Sequence, residues 1–346
     1  MRHLRRPQYT VPTMLDTGRS GLRRLADRSH YERTAAVRVP FPPHWTEPDV
    51  KGLLHAMQGS ICAYCGLEVG LDVDHFRPKG AIDEDPAHGG YWWLAYECSN
   101  YFLACTTCNR NRKKASFPIL PFAARCTYQT RGTIRAEKRV LLDPSEDPIE
   151  EWLTLGQGDE TGKLIPNADL STEERSRVQE AIDLFGLNSD QLVRGQRSKA
   201  YERAARAAAE QRWDELRLSA MRHRPHSLAA RIVLERVAPE CLPTAEEEMR
   251  DLVDLLWKDL RTLLDEIRSL RTRARAPSPV DERQLGELVW ALIVLRSDPP
   301  AGDPSSADEY LGQLLEREEA EIRTVIVALF RAMPRALAEV SGHHGK

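Results

Sequence analysis

Several features are missing from this sequence, and each absence excludes a class of protein. No segment of the 346 residues is long and apolar enough to cross a bilayer, and no signal peptide precedes the chain. The phosphate-binding pattern Gly-x-x-x-x-Gly-Lys-Ser/Thr is also missing, so the chain carries no P-loop nucleotide site of its own. We therefore expect a cytoplasmic protein without a membrane partner, in a reducing compartment that disfavours disulfides.

The chain also has little net charge, but the charge is unevenly distributed. The total is −3, whereas residues 1–139 hold 21 Lys and Arg against 13 Asp and Glu, a balance of +8. The remaining residues hold 28 against 39, a balance of −11. The basic front half suits a nucleic-acid surface, and the acidic back half fits a protein partner or a solvated scaffold better. The length predicts two or more domains.

Four of the seven cysteines form two Cys-x-x-Cys pairs, Cys62/Cys65 and Cys105/Cys108. Zinc favours four ligands in a tetrahedron, and each such turn points two sulfurs at one spot. Four thiolates leave no open position for a substrate, so we predict a structural Zn²⁺ site. Two disulfides or a thiol redox motif are the alternatives, but the compartment disfavours the first and the second needs only one pair. The other cysteines are predicted to be buried thiols: Cys98, Cys126 and Cys241.

A strand is predicted between the two cysteine pairs, and a helix is predicted after the second pair. In the stretch LDVDHFRPKG, apolar and acidic residues alternate up to Asp74 and His75, and Pro78 with Gly80 then ends the strand. Asn109 opens the basic run NRNRKK, which predicts the first turns of a helix next to the cysteine site. Strand, loop and helix would bring Asp74 and Asn109 to one metal ion and His75 to an attacking water.

With these motifs the segment resembles the HNH endonucleases, whose fold is the ββα-metal finger. Their pattern has a Cys-x-x-Cys, an Asp-His or His-His pair, a middle Asn, and a Cys-x-x-Cys-Asn followed by basic residues. The resemblance implies that His75 is the general base and that Asp74 and Asn109 bind a catalytic Mg²⁺ or Mn²⁺. It also implies that Asn100 ties the loop to the finger, which completes the predicted catalytic set.

Basic and aromatic residues surround the predicted site. Phosphates of a nucleic-acid backbone attract such cations without regard to base sequence, although a solvated helix face is the alternative. The predicted contacts are Arg77, Lys79, Arg110, Arg112, Lys113 and Lys114. The aromatic residues between positions 91 and 102 are predicted to pack in the core, with base stacking as the alternative.

A narrower resemblance rests on the segment YWWLAYECSNYFLACTTCNRNRKKASFPIL and on pieces within residues 141–148 and 181–194. These are similar to the retron-associated and Septu-type HNH proteins of bacterial anti-phage defence, over roughly residues 50–200. The resemblance implies an effector that cleaves DNA rather than RNA, beside an ABC- or SMC-like ATPase or a retron partner. The alternative is a zinc-stabilised adaptor that binds nucleic acid or protein without turnover. The presence of Asp74, His75 and Asn109 together argues against it, because a binder does not need all three.

We predict an α+β protein with three parts. An Arg- and Pro-rich arm covers residues 1–45, the HNH domain covers residues 46–140, and an α-helical domain for partner docking or scaffolding covers residues 141–346. A mitochondrial transit peptide is the alternative for the arm, but its acidic residues weaken that interpretation.

The helices of the third part are predicted from caps and apolar stripes. Ser171-x-x-Glu174 and Thr244-x-x-Glu247 are capping boxes, and Gly186 is a C-cap. Long helices are expected over Ser189 to Leu216 and from Thr244 to about Ala276, with further helices over residues 284–295 and from about residue 307. Their apolar stripes suit either an intramolecular bundle or a partner-binding surface.

Overall fold

The computed structural model describes residues 1, 4, 41–121, 123–272, 284, 287, 288 and 291. Within these residues helices predominate, and two small antiparallel sheets have two strands each. The prediction of a mixed, mainly helical protein is therefore confirmed. Most of the predicted arm over residues 1–45, and the predicted helices over residues 284–295 and from residue 307, lie outside the described residues. None of the described helices combines the length and apolar character that a bilayer crossing requires.

The N-terminal part is built from two strands between two helices. Its elements are helix α1 (Pro48–Gln58), strand β1 (Leu71–His75), strand β2 (Tyr101–Cys105) and a π-helix (Thr107–Lys113). The strands pair antiparallel, with Leu71 opposite Cys105 and His75 opposite Tyr101. All of β2 is buried, whereas β1 is buried only towards its end. The predicted strand up to His75 and the predicted helix after Cys108 are confirmed.

The C-terminal part is a series of helices with one small hairpin. Its elements are α2 (Ile149–Trp152), β3 (Leu153–Leu155), β4 (Leu164–Pro166), α3 (Thr172–Leu184), α4 (Gln191–Ala209), α5 (Trp213–Ser219), α6 (Ser227–Val237) and α7 (Ala245–Thr272). Both capping boxes are confirmed. The Ser171 hydroxyl accepts from the Glu174 amide at 3.3 Å, and the Thr244 hydroxyl accepts from the Glu247 amide at 3.3 Å.

The predicted single helix from Ser189 to Leu216 is wrong. Helix α4 ends at Ala209, and Gln211 takes a left-handed φ of 55° that starts a new direction. Helix α5 then folds back, and its Leu216 joins a buried cluster with residues of α4 and α6. Burial of this apolar side chain outweighs the local preference of the Ala- and Arg-rich stretch for one continuous helix.

One hydrophobic core extends across the boundary predicted at residues 140 and 141. The cluster that contains Cys62 and Phe102 also contains Val178 and Ile182 of α3 and Leu228 of α6. Gly186, with φ of +59°, ends α3 as predicted and lets the guanidinium of Arg112 lie against its backbone. Residues on both sides of the predicted boundary therefore share one core.

Candidate active site and metal centre

The four paired cysteines meet in one buried cluster. The Sγ atoms of Cys62, Cys65, Cys105 and Cys108 all lie within 4.8 Å of one another. Those of Cys65 and Cys105 are 3.8 Å apart. Bonds of about 2.3 Å to a tetrahedral Zn²⁺ place sulfurs about 3.8 Å apart, so the donor set is compatible with such an ion. The predicted clustering of these four residues is confirmed.

The first cysteine turn is held by the end of α1 and by β2. The Gln58 side-chain oxygen accepts from the Leu103 amide at 3.0 Å, and its nitrogen donates to the Leu103 carbonyl at 2.9 Å. The Ala63 amide donates to the same carbonyl at 3.0 Å. Gly66, with φ of +76°, closes the turn with a hydrogen bond to the carbonyl of Cys62 at 3.0 Å. These contacts fix the backbone around Cys62 and Cys65.

His75 ends β1 with a buried ring that has one backbone partner. Its Nε2 lies 3.0 Å from the carbonyl oxygen of Ala95. A carbonyl only accepts, so Nε2 carries the hydrogen and Nδ1 of the neutral ring keeps its lone pair. The rings of Trp45 and Tyr101 pack edge-on at 4.7 and 4.9 Å. Burial lowers the pKa of His75 well below its usual value, and the nearby charge of Lys79 lowers it further.

Asp74 contacts a different set of residues, because adjacent side chains on a strand face opposite sides. The Tyr64 hydroxyl donates to Oδ2 of Asp74 at 2.5 Å, and Nζ of Lys113 donates to Oδ1 at 3.0 Å. Nζ of Lys113 also donates to the carbonyl oxygen of His75 at 2.8 Å. The Lys113 and Asp74 side chains are only 1% and 3% exposed. The carboxylate is therefore paired and enclosed.

Asn100 joins the segment after β1 to the segment before β2. Its side-chain oxygen accepts from the Arg77 amide at 2.8 Å, and its nitrogen donates to the Arg77 carbonyl at 3.0 Å. The Phe76 amide donates to the Asn100 carbonyl at 2.8 Å. These three hydrogen bonds hold the backbone that follows His75.

Asn109 lies on the π-helix and is half-buried. Its carbonyl accepts from the Lys114 amide at 2.8 Å. No hydrogen bond between its side chain and Asp74 or His75 occurs in the part of the chain that the structure describes. Asp74 and His75 are thus adjacent in sequence, but their side chains contact different residues. The Asn109 side chain forms a hydrogen bond with neither.

The six basic residues predicted to hold phosphates divide into two groups. Arg77 is buried, donates through Nε to Glu137 at 3.1 Å, and lies 5.2 Å from the centroid of the Phe117 ring. Lys113 is buried against Asp74. Nζ of Lys79 lies 4.2 Å from the centroid of the half-buried Trp45 ring. The three that are exposed are Arg110, Arg112 and Lys114.

Two residues that contact the site carried no motif in the sequence. Tyr64 lies inside the first Cys-x-x-Cys turn, and its position between two predicted ligands is the one signal that could have singled it out. Trp45 packs on His75 from a short 3₁₀ helix before α1, and no local pattern indicates this contact. The aromatic residues between positions 91 and 102 are buried, which confirms the prediction of core packing.

Comparison with known proteins finds relatives in bacterial defence. No protein-family model matches the chain, and no solved structure matches it. Septu protein PtuB of Bacillus mycoides (strain KBAB4) is 30% identical over 202 residues, which are 52% of this chain and 67% of PtuB. The retron Vc95 putative HNH endonuclease of Vibrio cholerae serotype O1 biovar El Tor is 27% identical over 157 residues, which are 44% of this chain and 64% of that protein. The chain therefore belongs to the HNH-type family of defence proteins that includes Septu PtuB.

Proposed function

We propose that this chain is a metal-dependent endonuclease that hydrolyses phosphodiester bonds, in DNA rather than RNA, as the effector of an anti-phage defence system. The observation that carries the proposal is the state of His75. Its imidazole is neutral near pH 7, because burial lowers its pKa, and its Nε2 hydrogen is directed at the Ala95 carbonyl. Nδ1 is then the basic atom, and within the described residues no side chain donates to it.

A ring held in this way can act as a general base. A water molecule that donates to Nδ1 of His75 would lose its proton to the ring as its oxygen bonds to phosphorus. The P–O bond to the leaving sugar oxygen breaks in the same displacement, and that oxygen takes a proton from solvent. The ring then becomes positive while Nε2 keeps its hydrogen bond to Ala95, so the carbonyl stabilises the protonated form. The edge-on contacts of Trp45 and Tyr101 fix the ring plane. The exposed side chains of Arg110, Arg112 and Lys114 would hold neighbouring phosphates.

Two metal roles belong to the proposal. The cysteine cluster would hold Zn²⁺ with all four positions occupied by protein, which makes that ion structural. Mg²⁺ or Mn²⁺, when bound, would stabilise the negative charge that develops on the phosphate. The resemblance assigns this second ion to Asp74 and Asn109. In the described conformation both oxygens of Asp74 accept hydrogen bonds from buried donors, and the Asn109 side chain forms no hydrogen bond with Asp74. Asp74 and Asn109 in this arrangement therefore do not fit a Mg²⁺ or Mn²⁺ ion.

An adaptor that binds nucleic acid without turnover is the second candidate. The observation in its favour is the enclosed Asp74, because a catalytic cation needs accessible oxygens. Metal dependence discriminates the two functions. Cleavage by a nuclease requires added Mg²⁺ or Mn²⁺, whereas an adaptor binds equally well without either.

A protein partner is the remaining component of the proposal. The chain after residue 139 carries a charge of −11, which opposes contact with nucleic acid. Leu192, Leu218 and Val237 expose 60%, 44% and 54% of their surface on α4, α5 and α6. We propose that this part docks on an ATPase or a retron component, as the resemblance implies. Co-purification with the product of the neighbouring gene tests this docking.

The nuclease proposal is tested with the full chain, purified alone and with that neighbour. Supercoiled plasmid, linear duplex DNA and tRNA are incubated with Mg²⁺, Mn²⁺ or a chelator. We compare the wild type with His75→Gln, which keeps a donor for Ala95 but has no basic nitrogen, and with His88→Gln as the matched control outside β1. Cleavage should need the divalent ion, fall by about 10²–10⁴ in His75→Gln, and persist in His88→Gln.

Two outcomes would contradict the proposal. Equal cleavage by wild type and His75→Gln would remove His75 from the role of base. Binding of nucleic acid with no cleavage of any substrate, with or without the partner and the ions, would favour the adaptor.

A further inference from the structure

Each of the two Cys-x-x-Cys units directs one hydrogen-bond donor at the same carboxylate. Tyr64 lies between the cysteines of the first unit, and its hydroxyl contacts Oδ2 of Asp74 at 2.5 Å. Lys113 is the last residue of the π-helix that contains Cys108 of the second unit, and its Nζ contacts Oδ1 at 3.0 Å. Asp74 is therefore held between the two halves of the cysteine site.

The same contacts reach the proposed base. Nζ of Lys113 also donates to the carbonyl of His75 at 2.8 Å. One ammonium group thus joins the side chain of Asp74 to the backbone of the next residue. A continuous path of contacts leads from the cysteine cluster through the π-helix to the end of β1, where the backbone must be fixed for the His75 ring to meet Ala95.

The enclosure of this group of residues indicates what the carboxylate does. Tyr64, Lys113 and Asp74 are all buried, each with at most 2% of its residue surface exposed. A carboxylate in such a place is stable only when it is paired and hydrogen-bonded, and both oxygens of Asp74 are. A divalent cation on the same oxygens would lie beside the Lys113 ammonium, where like charges repel each other.

We infer that Asp74 is a positioning residue, which acts through Tyr64 and Lys113 to couple the cysteine cluster to the orientation of His75. This inference rests on the proposed role of His75 as the base, and it departs from the metal-ligand role that the resemblance gives to Asp74. The inference requires that loss of the Asp74–Lys113 ion pair moves the His75 ring out of position. It also requires that an uncharged pair of similar shape restores the position of the ring.

A double-mutant cycle tests the inference. The variants are Asp74→Asn, Lys113→Gln and the two together, with Lys199→Gln on the exposed surface of α4 as the matched control. Each single change leaves one buried charge without its opposite charge. The double change removes both charges, nearly preserves their volume and keeps an amide donor for the His75 carbonyl. If a single variant fails to fold, the double variant still decides the question.

Three measurements are made on each variant: zinc content per chain, the nitrogen signals of His75 in protein labelled with ¹⁵N-histidine, and the kcat and KM of cleavage. The histidine spectrum at mildly alkaline pH reports which ring nitrogen carries the hydrogen, and His75→Gln assigns the signal. Lys113→Gln should weaken the Nε2–H signature and lower kcat by about 10–100-fold, with KM nearly unchanged. The double variant should recover the signature and most of kcat, and Lys199→Gln should match the wild type.

The opposite outcome is equally specific. If the double variant shows the wild-type His75 spectrum but remains as inactive as Asp74→Asn, Asp74 acts directly on the cation and the inference is wrong. A wild-type spectrum in Lys113→Gln would also overturn it. Should the wild type prove inactive on every substrate, the spectra still test the coupling, so failure of the proposed function is distinguishable from failure of this inference.

Discussion

The ring of Tyr64 stacks on the ring of Phe185, with centroids 4.2 Å apart and planes 20° apart. Tyr64 belongs to the first cysteine turn, and Phe185 directly follows α3. Both side chains are buried in the same hydrophobic cluster. The cysteine site therefore rests on the C-terminal part of the chain, and the stability of one depends on the packing of the other.

Replacement of Phe185 by alanine should destabilise the protein by about 3–5 kcal/mol, because it removes a buried aromatic ring and leaves a cavity beside Tyr64. The free energy of unfolding in urea measures this change. Leu192→Ala is the control, since Leu192 is 60% exposed and its loss should change stability by no more than about 0.5 kcal/mol. Similar unfolding curves for both variants would show that the two parts are energetically independent.

Replacement of Cys105 by serine should release the structural ion. A closed four-thiolate site contributes folding free energy directly, so loss of one ligand weakens both the site and the surrounding fold. Atomic absorption should show one zinc per chain in the wild type and less than one in the variant. Cys126→Ser is the control, because Cys126 is buried outside the cluster. Full zinc occupancy and full activity in Cys105→Ser would refute the four-cysteine assignment.

Cleavage should keep its full rate down to pH values below those expected for an ordinary histidine. Burial lowers the pKa of His75 well below its usual 6.5, so the ring stays neutral and basic as the pH falls through 6.5. The plateau of kcat should therefore extend below that pH before the acid limb begins. A profile that is already half-maximal at the usual pKa would contradict the burial of this ring.

The lowered pKa of His75 should also make the folding stability of the protein depend on pH. The unfolded chain takes up a proton near pH 6.5, whereas folded His75 does not until its lower pKa is reached. The unfolded state thus binds more protons between these two values, and stability falls as the pH falls through that window. Urea unfolding at several pH values gives the free energy of unfolding as a function of pH. The difference between the slopes of this function for the wild type and for His75→Gln measures the contribution of His75.

Binding to nucleic acid should depend on the exposed cations and not on the buried ones. Lys114→Ala should weaken binding to DNA of any sequence. It should also reduce the slope of log affinity against log salt concentration by about one, which corresponds to the loss of one phosphate contact. Fluorescence anisotropy, measured with a chelator present and over a range of salt concentrations, gives both the affinity and its dependence on salt. Lys199→Ala on the exposed surface of α4 is the control and should leave both unchanged. An equal effect of the two variants would place the binding surface elsewhere.

Local patterns were enough to predict the elements of the site. Cys-x-x-Cys spacing, the alternation that ends at His75 and the capping boxes involve residues a few positions apart, so their physical preferences are present in the chain itself. The cysteine cluster, β1, the helix after Cys108 and the starts of α3 and α7 were all predicted in this way. The family resemblance also came from these short segments.

The partners of those residues were decided by tertiary structure. Lys113 lies 39 positions from Asp74 in the sequence, and Phe185 is farther still from Tyr64, so no periodicity relates them. The break at Gln211 arises because Leu216 gains burial against α4 and α6. The sequence by itself determined which groups could bind metal or move a proton. Only the folded chain decided that Arg77 and Lys113 are buried, because removing a charge from water requires a partner that distant parts of the chain supply.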